Sequence, residues 1–270
     1  MLEDQKIIFL GDGFMASAMI RGIIENALMK PAQIAVIGLS GSAKVTELVH
    51  TYGVRAGQKE DITGCDIVFL AFKPQDLAGA MADYQPYLHA GQTVLSILAG
   101  VPCRKIEALT NGASVVRFMP NLALSVGLSA TAYCLGSSCG PAQAALAEAL
   151  FAPLGVVVQV QEEQMSAVTA VSGSGPAYFY ALAEGMAQAA VRDGMQAATA
   201  QALAVQTLIG AARLIADAGE PPEVMRARIT SKGGTTEAAL NAMRQSGFYE
   251  AIEQGYIACR DRSNQLGQSK

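Results

Sequence analysis

Two glycine-bearing clusters near opposite ends of the chain contain residue types that hold anions. They are Gly11-Asp12-Gly13-Phe14-Met15-Ala16 and Ser231-Lys232-Gly233-Gly234-Thr235-Thr236. The first follows the apolar run Lys6-Ile7-Ile8-Phe9-Leu10 and precedes Ala16 to Ile24, an amphipathic helical pattern, so it has a strand behind it and a helix ahead. In that setting Gly11 allows a tight turn and Gly13 lets a pyrophosphate approach the backbone. The small Ala16 permits close helix–strand packing, with phosphate at the helix N-terminus. The second cluster frees its backbone with Gly233 and Gly234 and adds the hydroxyls of Ser231, Thr235 and Thr236 where the next helix begins. Such a nest suits a carboxylate.

Three further segments carry candidate contacts. The stretch Ile37 to Lys44, at the end of the second expected strand, contains no acid to hold a ribose 2′-hydroxyl. Its hydroxyls, Ser40 among them, and Lys44 suit a 2′-phosphate better, so NADPH is favoured, with NADH left open. The run Ala71-Phe72-Lys73-Pro74 leaves a buried strand at its carboxyl end, where open α/β sheets bind ligands, and makes Lys73 a phosphate or ribose contact. Ser172-Gly173-Ser174-Gly175-Pro176-Ala177 interrupts helical sequence. Ser174, Gly175 and Pro176 form either an active-site backbone corner or a plain helix-to-helix corner.

No residue is assigned as a general acid or base. His50 and His89 both fall in the first half and read as surface residues, and no lysine lies between Lys105 and Lys232. No Cys-His, Ser-His-Asp or clustered-carboxylate arrangement is visible. The chemistry must therefore need little proton transfer from the protein.

The elements that position these residues divide in two. Apolar runs at 34–37, 66–71, 93–97, 114–117 and 156–160 alternate with helical patterns at 42–52, 75–87, 102–109 and 141–151, the pattern of a parallel α/β sheet. After about Gln161 strands stop, and alanine-rich helices are expected near 162–171, 176–192, 196–218, 221–228, 235–245 and 249–265. The fold class is α/β: an N-terminal Rossmann-like dinucleotide-binding domain over 1–160, then an all-helical dimerisation and substrate domain over 161–270. The helices carry apolar residues on every face, more than one small layer can cover, which predicts a dimer.

Composition sets limits. With 51% apolar and 16% charged residues over 270 positions the chain is not disordered, and a net charge of −4 without any basic cluster speaks against nucleic acid or an anionic membrane surface. The uncharged stretches Phe118 to Ala147 and Gln164 to Ala183 are broken by glycine and proline and do not read as membrane spans. The first residues lead directly into strand-like sequence with no signal-peptide pattern, which points to the cytoplasm. Cys65, Cys103, Cys134, Cys139 and Cys259 show no metal or redox spacing along the chain and read as reduced, mostly buried thiols.

Taken together these motifs resemble the pyrroline-5-carboxylate reductase family. The resemblance runs through Gly11 to Ala16, Ala71 to Gln75, Ser96-Ile97-Leu98-Ala99-Gly100, Val115 to Asn121, Ser172 to Tyr178, Gln206 to Ala212 and Ser231 to Thr236. The chain departs from the family at Phe14, Leu122-Ala123 and Lys232, where asparagine, Thr-Pro and proline are usual. The resemblance implies reduction of a cyclic imine to proline by hydride from reduced nicotinamide, in a homodimer or a larger homo-oligomer built from dimers. It implies cofactor contacts at Gly11 to Met15, Ser40, Ala71 to Pro74, Ala99 and Asn121. The substrate carboxylate would go to Gly233, Gly234, Thr235 and Thr236 with Ser231 nearby, and Glu162 is a further candidate for the imine nitrogen. A protonated imine is already electrophilic, in keeping with the missing acid. Two other readings stay open: a related hydroxyacid or imine reductase, and a diverged paralogue that binds dinucleotide without turnover.

Overall fold

Side-chain alternation along β1 (Ile7–Leu10) sets the architecture. Ile7 and Phe9 join one apolar cluster, Ile8 and Leu10 the other, and all four are fully buried, so both faces of the sheet need a covering layer. The computed structural model describes residues 2–38 and 42–268. In chain order, β1 is followed by α1 (Phe14–Glu25), β2 (Ile34–Ile37), α2 (Ala43–Tyr52), β3 (Arg55–Ala56), β4 (Ile67–Leu70), α3 (Leu77–Tyr84) and β5 (Thr93–Ser96). There follow α4 (Cys103–Glu107), β6 (Ser114–Met119), β7 (Ser129–Leu135), α5 (Pro141–Phe151), β8 (Gly155–Gln159) and α6 (Met165–Val168).

The strands form one eight-stranded sheet in the order β3-β2-β1-β4-β5-β6-β7-β8. All neighbours are parallel except β6 and β7. The chain first moves outward from β1 to β2 and β3, then returns to add β4 on the other side, so the strand order reverses at β1 and β4. Ligands of open α/β sheets bind in the crevice at the carboxyl ends of such a pair. One face is covered by Met19, Ile20 and Ile23 of α1 and Leu150 and Phe151 of α5, with Phe118 stacked on Phe151 at 4.3 Å. The other is covered by Leu77 and Met81 of α3 and Cys103 and Ile106 of α4. Each of these buried Leu, Ile, Met and Phe side chains contributes about 1.5–3 kcal/mol.

The strand β7 has no counterpart in the sequence reading. Gly127, at φ +71°, reverses the chain after the short turn Leu122–Val126 and lays Ser129–Leu135 antiparallel to β6. Small residues and hydroxyls dilute its apolar alternation.

The chain forms two compact units, Met1–Ser174 with Cys259–Lys270, and Gly175–Ala258. The division falls inside the Ser174-Gly175 corner, later than the change of composition near 160, because α6 and the π-helical turn Thr169–Gly173 pack with the sheet. The second unit is helical: α7 (Gly175–Arg192), α8 (Ala197–Ala218), α9 (Pro222–Arg228), α10 (Thr235–Gln245) and the first half of α11 (Phe248–Gln268). Within it Phe179, Tyr180, Leu203, Ile209 and Leu214 are exposed, and an open groove of about 670 Å³ runs between α7 and α8, lined by Tyr180, Ala187, Val191, Ala204 and Val205 among others. Among the described residues α8 is the one helix long and apolar enough, by length and composition, to cross a membrane, a segment the sequence reading did not single out.

Candidate functional site

The glycine turn sits at the carboxyl end of β1, where the strand order reverses. Gly11 has φ +118°, and a Cβ built on it would lie 2.5 Å from the Ala71 carbonyl oxygen at the end of β4, so only glycine fits. Gly13 is different. It caps α1 with extended backbone, and a Cβ there would meet only the Ala71 oxygen, at 3.7 Å. The space beside Gly13 is left open at the start of a twelve-residue helix with no acid in its first turn. A pyrophosphate fits that cradle, because helix N–H groups and dipole favour an anion where a side chain would strike it. Phe14 stands exposed beside it. Lys73 is exposed where the chain leaves β4, just before Pro74, with Ala71 buried and Phe72 half-buried.

Ser40 lies outside the described residues. Its neighbour Ser42 donates its hydroxyl to the Asp12 carboxylate. The fold thus carries an acid from the glycine turn to the end of β2, a contact that counting residues between Ile37 and Lys44 cannot reveal.

Four of the expected contacts converge. Met15, Ala99, Asn121 and Ser174 line one cleft of about 270 Å³, together with Met119 and Thr169 among others. Its walls carry amide, hydroxyl and apolar groups and no ionisable side chain. Asn121 is buried; its side-chain oxygen accepts from Ala123 N at 3.1 Å while its amide donates to the Ser172 carbonyl at 3.1 Å, which ties the β6 end to the π-helical turn. Ser174 N donates to Thr169 O at 2.8 Å, and its hydroxyl accepts from the Cys259 thiol at 3.2 Å. Gly100 has φ +77°, and a Cβ there would lie 2.8 Å from the Ser263 carbonyl and 2.9 Å from Gly267 N. The loop bearing Ala99 is therefore braced by the last turns of α11, a long-range support with no signal in either segment alone.

Glu162 is held inside the first unit. Its Oε1 accepts from Cys103 N at 2.6 Å and from Arg117 Nη1 at 3.4 Å. Gly175 is buried and Pro176 half-buried at the start of α7.

The second cluster lies in the helical unit. Gly233, at φ +74°, bends the chain before α10, and Gly234 N donates to the Ser231 carbonyl at 3.0 Å. A Cβ on Gly234 would lie 2.5 Å from Ser231 Oγ and 3.0 Å from the Ser231 carbonyl oxygen, so a side chain there would displace the serine hydroxyl from the turn. The Gly233 N–H donates to Glu237 Oε2 at 2.7 Å. The nest thus already holds a carboxylate, supplied by its own helix. Thr235 and Thr236 begin α10, and their hydroxyls have no partner among the described residues. Glu237 escaped the sequence reading, although a glutamate three residues after a helix cap is a reach-back signal.

Comparison with known proteins identifies the family. Residues 162–266 match the family described as pyrroline-5-carboxylate reductase dimerisation, and residues 6–100 match NADP oxidoreductase coenzyme F420-dependent. The chain is 37% identical to pyrroline-5-carboxylate reductase 1 of Bacillus subtilis over 98% of its own length and 91% of that protein's. It is 35% identical to the pyrroline-5-carboxylate reductase of Methanosarcina acetivorans, covering 98% of this chain and 99% of that one. The chain belongs to the pyrroline-5-carboxylate reductase family. Among solved structures, the Plasmodium falciparum pyrroline carboxylate reductase with NADP bound is similar with a TM-score of 0.89 at 25% identity, covering 99% of this chain and all of that one. The Coxiella burnetii pyrroline-5-carboxylate reductase is similar with a TM-score of 0.89 at 30% identity, covering 98% and 99%.

The fold adds one relation among the cysteines. They are free, as expected, with Cys65, Cys103 and Cys134 buried. Spacing along the chain suggests no pair, yet the fold brings Cys103 Sγ to 3.9 Å from Cys134 Sγ. The antiparallel β7, absent from the sequence reading, is what places Cys134 there.

Proposed function

We propose that this chain reduces 1-pyrroline-5-carboxylate to L-proline with NADPH, the last step of proline synthesis. The observation that carries the reading is the cleft in which Met15, Ala99, Asn121 and Ser174, from four distant segments, meet without any ionisable group. NADPH, when bound, supplies a hydride, and the protonated imine accepts it without an acid from the protein. What the chain contributes is position. Gly11, Asp12, Gly13, Phe14 and Met15 would hold the pyrophosphate end, Lys73 with Ala71, Phe72 and Pro74 the phosphate or ribose beside β4, and Ala99 and Asn121 the nicotinamide end. Near-attack orientation of this kind supplies roughly 7–11 kcal/mol of the rate advantage.

Substrate recognition falls to Gly233, Gly234, Thr235 and Thr236, with Ser231 closing the turn. Glu237 supports this assignment, since a carboxylate of the protein already uses the Gly233 N–H. Glu162 is better read as a positioning residue than as an imine contact, because its Oε1 is engaged by Cys103 N and Arg117. Ser174, Gly175 and Pro176 form the backbone corner between the two compact units. Dinucleotide binding is assigned to residues 1–160, and substrate binding and dimerisation to 161–270.

The exposed apolar faces of α7 and α8 are best covered by a second copy of the chain, giving a homodimer or a larger assembly of dimers. The match to a dimerisation family over the whole of α8 supports a protein partner there over lipid. No membrane or nucleic-acid partner is invoked, and five free thiols suit the reducing cytoplasm. Purified, detergent-free protein should oxidise NADPH in the presence of the five-membered imine, with NADPH used more efficiently than NADH, and should elute as a dimer or larger in light scattering. Absence of imine-dependent NADPH oxidation would return the reading to a dinucleotide-binding paralogue.

A further inference from the structure

Cys103 begins α4 immediately after the Ala99 loop, and Cys134 lies on β7 directly opposite Arg117 of β6. Residues opposite each other on antiparallel strands point to the same face, so the guanidinium and the thiol share one pocket. Both cysteines are 2% exposed, and their sulfurs are 3.9 Å apart. The Arg117 side chain is 5% exposed, and its Nε has no hydrogen-bond partner among the described residues, although Nη1 reaches Glu162. A buried donor of this kind is costly unless an acceptor is at hand. A thiolate at Cys134 would supply one. Hydrogen bonding from the Cys103 thiol lowers the pKa of Cys134 and outweighs burial and the negative charges of Glu162 and Glu163, which raise it, with Arg117 adding to the lowering; the Cys103 thiol is pushed up.

We propose that Cys103 and Cys134 form an oxidisable dithiol, a modification site that hydrogen peroxide converts to a disulfide and a thiol reductant restores. The Cys134 thiolate attacks one peroxide oxygen and breaks the O–O bond, giving a sulfenic acid and a hydroxide that takes up a proton to become water. The Cys103 sulfur, losing its proton, then attacks the Cys134 sulfur; the S–O bond breaks and a second water leaves. In sum, two thiols and one peroxide give one disulfide and two waters. The peroxide is water-sized, and Glu162, whose carboxylate contacts Cys103 N and Arg117, has a side chain that is 32% exposed. Closing the sulfurs from 3.9 Å to a bond of about 2.05 Å draws the start of α4 toward β7. That movement pulls on the Glu162 contact with Cys103 N and on the Ala99 loop of the cleft, so turnover falls while the bond is present. Cys103, Cys134 and Glu162 could also be read as a metal triad, with ligand atoms within 4.8 Å of one another, but the buried Arg117 guanidinium opposes a dication there.

The test uses full-length protein exposed to graded hydrogen peroxide, alkylated after denaturation and mapped by mass spectrometry, with turnover followed in parallel. The dithiol predicts a single cross-link between the peptides of Cys103 and Cys134, formed before Cys65, Cys139 or Cys259 is consumed, with a severalfold fall in turnover. Dithiothreitol should reverse both. In Cys103→Ser, Cys134 should stop at sulfenic acid and be captured by dimedone; in Cys134→Ser, Cys103 should remain a thiol. If either variant fails to fold, mapping of the unmodified protein decides alone. Earlier loss of another cysteine, over-oxidation without a cross-link, a cross-link that leaves turnover unchanged, or zinc bound to both thiols would each overturn the proposal.

Discussion

The two glycine clusters differ in what makes glycine necessary. At the turn after β1 the demand comes from the fold: Gly11 combines φ +118° with a backbone carbonyl 2.5 Å from any Cβ, whereas Gly13 is tolerated by its own neighbours and is required only if something else must come close. At the turn before α10, Gly233 has φ +74° but no atom within 4 Å of a built Cβ, so conformation and access to its N–H matter more than packing. The first site is shaped by the sheet before any ligand arrives. The second is a local loop whose anion place is filled by its own Glu237. The first cluster is thus fixed by backbone packing, while the second, proposed for the substrate, is held by exchangeable hydrogen bonds.

The sharpest break in this comparison is between the two glycines of the first turn. Gly11→Val should destabilise the protein by about 2–4 kcal/mol, read as a loss in denaturant midpoint, because it adds a backbone clash to a strained φ. Gly13→Val should leave that midpoint nearly unchanged while weakening NADPH binding by at least about a hundredfold, which is about 2.7 kcal/mol. Equal effects of the two substitutions on stability would erase the distinction. For the second cluster, Thr236→Val removes one donor at little change in volume and should lower kcat/KM for the imine about tenfold, with NADPH affinity preserved. The smallest expected effect is at Glu237. Glu237→Gln weakens the hold on the Gly233 N–H and removes a negative charge beside the nest, so the imine KM should fall by about threefold, on the scale of a charge-assisted bond giving way to a neutral one. A KM that rises would mean that Glu237 shapes the nest and does not compete for it.

Much of this was legible in the sequence because it is local. The strand–turn–helix setting of Gly11 to Ala16, the carboxyl-end place of Lys73, and the glycines and hydroxyls before α10 all depend on neighbours a few residues away. What escaped depends on contacts across the fold. The strand Ser129–Leu135 is stabilised by pairing with β6 and β8, and its own residues alternate too weakly to announce it. Asp12 reaches Ser42 only when β1 and β2 lie side by side. The bracing of Gly100 by Ser263 and Gly267 joins segments more than 160 residues apart, about three-fifths of the chain, and the Cys103–Cys134 contact needs the antiparallel register of β7. The boundary near 160 follows a change in composition, whereas the compact units follow packing, which carries α6 and the end of α11 back to the sheet.

The most direct test of substrate recognition by the second cluster compares two imines, 1-pyrroline-5-carboxylate and 1-pyrroline, which lacks the carboxylate, on the unmodified protein and Thr236→Val with NADPH. Imine reduction guided by a carboxylate nest predicts a loss in kcat/KM of about tenfold or more on removing the carboxylate from the substrate, on the scale of one charge-assisted hydrogen bond, and a Thr236→Val defect that disappears with 1-pyrroline. Equal turnover of both imines by the unmodified protein, or an equal defect of Thr236→Val on each, would contradict it.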